Sequence, residues 1–453
     1  SIFESINSNI IMRKTVVLFS MLCCAFMGQA QEKFTLASAQ EYALDHAYGV
    51  QIAELEIQRA RQIYLQNLAI GLPQASASGQ YIYNVELGAL VTDFNGDGVL
   101  DELVFGTDYQ AQGGLVVNQL IFDGSYVVAL MAAKVLKESA EIGMEQSQAE
   151  LKREVAKAYH LALLSEESVA VLKANKGYLA DLASEMQKMN EAGLVSKTDA
   201  DQMMLNYNNI DNALRYSEGQ AQVAKMLLKL QMGFPVQQEL LLADKMEDLV
   251  VNAAAASTLT TIGFDPTKSV DYLGMANQVE GAKLQVLNKQ LAYLPSIGVS
   301  YQNNIQYMSS EANIFGDAAV DIPSSLVAGS ISVPLFSSGN GRAQVQEAKI
   351  QRAQAMIGLQ QLEEGLIMQH GALVNEFHQG IANFLAQKEN VALAQRIRDQ
   401  RRKEYDAGLA SSMELTQTET QYQEALQAMF MAAQNALDKK SELEYLMTKQ
   451  QKQ

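Results

Sequence analysis

A short stretch occurs twice in this chain, as Ala192-Gly193-Leu194-Val195-Ser196-Lys197-Thr198-Asp199 and as Ala407-Gly408-Leu409-Ala410-Ser411-Ser412-Met413-Glu414. Each copy sets a glycine where a long helical pattern stops and a serine just before the next pattern starts, the chemistry of a tight helix-to-helix reversal. Two such tips commit the chain to two helical hairpins. The flanks repeat as well: Leu72-Pro73 and Leu294-Pro295 each close a helical stretch and open an alternating one. Leu120-Ile121-Phe122-Asp123-Gly124 corresponds in the same way to Pro334-Leu335-Phe336-Ser337-Ser338-Gly339, closing an alternating stretch and opening a very long helix. Helix, strand pair, long helix, tip and helix therefore occur in that order twice, an internal duplication.

The expected boundaries follow. Residues 1–30 read as leader and signal peptide, with Arg13-Lys14, an apolar run from Val16 to Met27 and a small-residue site near Ala30. Residues 31–235 form the first repeat: a helix from Phe34 to Leu72, strands within 74–122, a long helix over 124–190, a tip at 192–197 and a helix over 198–232. Residues 236–267 connect the halves. The second repeat, 268–450, has a helix, strands within 296–336, a long helix over 339–406, a tip at 407–413 and a helix over 414–450. Each long helix lacks proline and would measure about 100 Å at 1.5 Å per residue. Leu359, Leu366 and Leu373 step by sevens, as do Phe377, Phe384 and Val391, the pattern of helices packed side by side. All six prolines are expected at element edges or in loops.

In the strand stretches Ala75, Ala77, Tyr81, Tyr83 and Val85 alternate with Ser76, Ser78, Gln80, Asn84 and Glu86. Ile297, Val299, Tyr301, Ile305 and Tyr307 likewise alternate with Ser296, Ser300, Gln302, Asn304 and Gln306. One face is apolar and the other polar and almost uncharged. Such a strand fits either a soluble sandwich or a membrane barrel whose apolar face meets lipid. The signal peptide and the helical context favour the barrel. Beyond the leader no stretch has the 18 or so continuous apolar residues of a membrane helix, so any crossing must be made by strands in a closed barrel. Four strands cannot close around a lumen, because a filled barrel already takes about eight. Other copies must complete it.

The formal net charge of −17 argues against nucleic acid, which rewards clustered Lys and Arg. Both cysteines, Cys23 and Cys24, lie inside the predicted signal, leaving no disulfide or thiolate chemistry in the expected mature chain. The four histidines, His46, His160, His370 and His378, are isolated on helical segments without metal spacing. No phosphate loop, nucleophile elbow or paired-carboxylate cleft occurs, so no enzyme is expected.

Two features remain. Asp93, Asn95, Asp97, Val99 and Asp101, with Gly96 at the sixth position, have the spacing of a calcium loop, although Val104 stands where an EF-hand needs its glutamate. The same residues equally favour a hairpin turn, and the two readings stay open: Ca²⁺ at an extracellular loop, or a bare turn. Glu414 and Gln417 are three apart and share a helix face after the second tip, and Asp199 is the counterpart of Glu414 in the first half.

The duplicated order, the two tips, the strand-to-helix junctions and the closure Leu227-Leu228-Lys229-Leu230-Gln231-Met232-Gly233-Phe234-Pro235 together resemble the outer-membrane efflux protein family, the TolC-like channels. The resemblance spans nearly all of the chain from about Phe34 to Met447. It implies a mainly α fold with a membrane β-barrel portion, in which coiled-coil hairpins form an α-barrel and a homotrimer shares twelve strands. The implied place is the outer membrane, extending into the periplasm, with outer-membrane lipid around the strands. A periplasmic adaptor (membrane fusion) protein would dock on Gly193, Leu194, Val195 and Ser196 and on Gly408, Leu409, Ala410 and Ser411, linking to an inner-membrane pump. Glu414, Gln417 and Asp199 become candidates for the pore constriction, though Gln417 departs from the acidic pattern. The resemblance implies export of small molecules in a tripartite efflux system. Alternatives are the exit duct of a type I protein secretion system and, in another class, a soluble periplasmic coiled-coil scaffold or adhesin.

Overall fold

The computed structural model describes residues 33–450 apart from 94, 95, 97, 99, 256–262, 317 and 318; the predicted signal lies outside them. The chain divides into two compact units. One gathers the residues up to 52 with 146–265 and 366 onward, and the other holds 53–145 and 266–365.

The second unit contains the sheet. Strands β2 (Gln74–Tyr83), β5 (Tyr109–Phe122), β7 (Ser296–Ser309) and β8 (Val320–Ser332) pair antiparallel in that order. Register aligns the alternation across strands: Ala77 faces Leu115, Val117 faces Tyr301, and Tyr301 faces Val327. On the opposite face Gln80 pairs with Gln112, Gln112 with Gln306, and Asn118 with Ser300. Asn303, Ser325, Gln119 and, at the start of β8, Asp321 fall on the apolar face, and Val116, Leu326 and Ile322 on the polar one. Both outer strands, β2 and β8, keep an unpaired edge within the chain.

Two expectations fail here. Pro323 lies inside β8, opposite Ile305, and not at an element edge. Because β8 is an outer strand, a residue without an N–H can sit there with no loss to the β7 ladder. The segment between β2 and β5, where one strand pair was expected over 74–122, holds a hairpin of its own, β3 (Ala89–Thr92) with β4 (Asp101–Val104), around the turn that the Asp93–Asp101 residues favour.

The junctions between sheet and helices are close-packed. Helices α2 (Tyr48–Ile70), α3 (Gly124–Glu191), α6 (Val270–Leu291) and α7 (Asn340–Asp406) flank the strands in sequence. At Gly124 a side chain would lie 2.7 Å from the Leu291 carbonyl oxygen, so α3 and α6 touch backbone to backbone there. Gly71 sits under the Tyr126 ring, and Gly341 under the Tyr293 ring. In the repeat alignment Gly71 corresponds to Tyr293 and Tyr126 to Gly341, so the two junctions make the same contact with the large and small residues exchanged.

The first unit carries the helical core. The helix expected from Phe34 to Leu72 is broken at Ala47, whose ψ of 138° is extended, into α1 (Leu36–His46) and α2, with a short β1 (Lys33–Phe34) before it. The break accommodates the end of α4 (Lys197–Met232): Gly233, left-handed at φ 69°, closes α4 directly against the His46 carbonyl. Phe34 packs edge to face on both Tyr42 and Phe234, which are tilted against each other, with His46 stacked on Tyr42. The connector forms β6 (Leu241–Leu242), parallel to β1, and α5 (Met246–Ala255), which buries Met246, Val250 and Ala253. Tyr159 of α3, fully buried, places its hydroxyl 2.9 Å from both the Phe34 carbonyl and the Asp244 carboxylate. Asp244 also accepts from the Leu36 N–H at 2.7 Å. Leu366, Leu373, Phe377 and Phe384 are buried along α7, and Gly380 lets it approach Ala436 of α8 (Ser412–Leu446) closely.

Candidate functional site: the two helix tips

Both tips are built alike. After α3 the Leu194 N–H reaches the Met189 carbonyl at 2.8 Å and the Gly193 N–H the Asn190 carbonyl at 2.9 Å; after α7 Leu409 reaches Glu404 at 2.7 Å and Gly408 reaches Tyr405 at 2.9 Å. These are Schellman closures, which require the left-handed glycine, φ 72° at Gly193 and 71° at Gly408. Ser196 and Ser411 then cap the next helices, accepting from Asp199 N–H at 3.2 Å and Glu414 N–H at 3.3 Å. The leucine after each glycine often folds back on its own helix in such a motif. Here Leu194 is 71% and Leu409 79% exposed, so neither is consumed by its own hairpin.

The carboxylates at the tips are partnered. Ser411 N–H donates to Glu414 at 2.8 Å, completing a capping box, and Arg401 of α7 lies 3.8 Å from the other Glu414 oxygen. The backbone and hydroxyl of Ser411 hold the Glu414 carboxyl below its usual range, and Arg401 adds to this. Asp199 accepts from Ser196 at 2.6 Å and, from the other tip, from the Ser412 hydroxyl at 3.0 Å; these two hydrogen bonds lower its pKa. Asn206 donates to Thr416 at 2.7 Å, a second link between the hairpins. Gln417 is exposed on the face it shares with Glu414. Behind the tips Leu179, Leu182, Ala183, Met186, Ala200, Met203 and Leu415 form a buried cluster, with Tyr405 packed against it. The sequence reading missed Ser412 and Arg401, whose partners are distant in the chain.

Of the predicted calcium loop, Asn95, Asp97 and Val99 lie outside the described residues. The Asp93 carboxylate accepts from Gly96 N–H at 2.6 Å and Gly98 N–H at 2.9 Å, as a hairpin turn does. The histidines have structural surroundings: His160 pairs with Asp438 at 3.0 Å, His370 stacks on Phe264, and His378 packs beside Phe377.

Residues 271–448, which include the second tip, Glu414 and Gln417, match the model of the outer membrane efflux protein family. The second repeat is similar to that family. The first repeat, with Asp199 and the first tip, lies outside the matched residues but repeats the same elements. Solved structures match the fold across both repeats. CusC, described as forming a transmembrane channel, has a TM-score of 0.69 at 15% identity over 91% of both chains. The outer membrane protein VceC from Vibrio cholerae has 0.67 at 16%, over 91% of this chain and 95% of its own. The CmeC outer membrane channel of Campylobacter jejuni has 0.68 at 14%, over 91% and 85%. No curated protein matches the chain by sequence.

Proposed function

We propose that the chain is one subunit of a homotrimeric outer-membrane channel that exports small molecules, receiving them from an inner-membrane pump through a periplasmic adaptor docked on the two tips. The observation that carries this reading is the open sheet. β2, β5 and β7 hold no charged residue and β8 only Asp321, while Tyr81, Tyr83, Val327 and Ile331 stand exposed on one face. In lipid, unpaired edge groups on β2 and β8 would cost several kcal/mol each, so the edges must be covered by sister copies. Three copies of four strands give twelve, with the glutamine- and serine-rich face lining water and the apolar face meeting lipid. The account needs no covalent step; conduction and gating are its physical work.

The tips support the docking part. Two exposed leucines at the end of paired hairpins offer an apolar contact that the fold itself leaves unused. Glu414 and Asp199 are the constriction candidates, and each Glu414 carries Arg401 beside it, so a ring of three would be partly neutralised. Leu409→Asp should abolish export of a dye substrate while the chain still reaches the outer membrane as a trimer. Retained export with the charged tip would sink the docking role.

A further inference from the structure

Outside the tips one carboxyl has no role in the function above. Glu419 of α8 is 5% exposed, and among the described residues neither of its oxygens has a hydrogen-bond partner. The amide of Asn175 on α3, 6% exposed, is equally unpartnered, as is Nε2 of Gln423, one turn on from Glu419. The nearest cation is Arg398 of α7, whose Nε stands 3.9 Å from Glu419, beyond hydrogen-bond reach. Arg398 is held elsewhere: its guanidinium donates to Asp399 at 3.0 and 3.2 Å and lies over the Tyr422 ring at 4.2 Å. Arg402, one turn on, lies over Tyr178 of α3 at 4.4 Å. From α4, Asn206 bonds Thr416 and Tyr207 packs at Leu415, one turn before Glu419. The charged and titratable groups about Glu419 are therefore Arg398, Asp399 and Arg402 from α7, Tyr178 from α3 and Tyr422 from its own helix.

A buried carboxylate whose oxygens accept no hydrogen bond is costly even with a cation 3.9 Å away, whereas the neutral acid is tolerated. Arg398 is poised between two acids: a movement of about 1 Å would bring it to charge-assisted distance from Glu419. We propose that Glu419 is a proton-operated latch of the helical hairpins. As the neutral acid it lets α3, α7 and α8 close around it; as the carboxylate it draws Arg398 away from Asp399 and loosens that packing. Burial pushes the Glu419 carboxyl above its usual range, opposed by the charge of Arg398. A group whose pKa is raised by packing contributes stability fully present below its ordinary pKa and lost as pH rises through the raised value. Lower pH should tighten this part of the hairpins, and higher pH should release it.

The test is hydrogen exchange on the full chain in detergent, from pH 5 to 8, with intrinsic exchange rates divided out. Wild type should lose protection over residues 416–430 and 392–402 as pH rises, and Glu419→Gln should stay at the acid level throughout. Wild-type protection that ignores pH, or a Glu419→Gln profile that follows the wild type, would overturn the latch. If Glu419→Gln fails to fold, Arg398→Gln decides: removing the facing cation should move the loss to higher pH, and an unmoved profile would refute the proposal.

Discussion

The exchanged glycine and tyrosine at the two junctions make a prediction that the duplication alone requires. A Cβ added at Gly71 would collide with Tyr126 Oη and lie 2.5 Å from its Cζ, far inside contact distance. The Tyr126 ring would have to swing out, breaking its hydroxyl's 3.3 Å bond to the Leu68 carbonyl. Overpacking of this kind costs about 1–3 kcal/mol. Truncating the ring in Tyr126→Ala makes room and incurs its own loss, so the double variant Gly71→Ala/Tyr126→Ala should be less harmed than the two singles summed. A coupling of about 1–3 kcal/mol in the favourable direction is expected for residues in contact. The full exchange, Gly71→Tyr with Tyr126→Gly, would reproduce the arrangement of Tyr293 over Gly341 and should recover more stability than either half of it. The assay is denaturant unfolding of the detergent-solubilised chain, read as the mid-point of each variant. Strict additivity of the singles would refute the contact and, with it, the equivalence of the two junctions.

Further predictions are more local. Tyr159→Phe removes the hydroxyl that joins Phe34 and Asp244 in a buried setting, so it should cost about 1–3 kcal/mol and raise exchange in β1 and β6. The depressed carboxyls of Asp199 and Glu414 contribute stability that is present above their ordinary pKa values and is lost as pH falls through the depressed ones. The first turns of α4 and α8 should thus fray in acid, opposite in sign to the segment around Glu419, and Ser412→Ala should weaken the effect at α4.

Much of the fold was legible because each element carries its own signal. Gly193-Leu194 and Gly408-Leu409 name the turn, Ser196 and Ser411 the caps, and the alternation from Ser296 to Tyr307 the strand and its faces. The break at Ala47 was not legible, since alanine is the best helix former and the cause is Gly233, far along the chain, lying against His46. Pro323 was misplaced because alternation does not say which strand is outermost. At the tips the caps could be read locally, but the Ser412–Asp199 bond and the Arg401–Glu414 pair depend on how hairpins lie side by side. Glu419 did leave a trace: it falls on the stripe Leu415, Glu419, Tyr422, Leu426, Phe430, where an acid interrupts an apolar face.

The central claim is that β2 of one copy meets β8 of the next. Within one chain these strands are separated by β5 and β7, about 14 Å across three strand spacings, whereas a disulfide spans Cα atoms no more than about 7 Å apart. Cysteine at Ser76, combined in turn with cysteine at Leu326, Ala328, Ser330 or Ser332, should give for at least one pair an oxidised ladder that ends at three copies. Monomers alone for every pair, or ladders that run past three, would contradict the account.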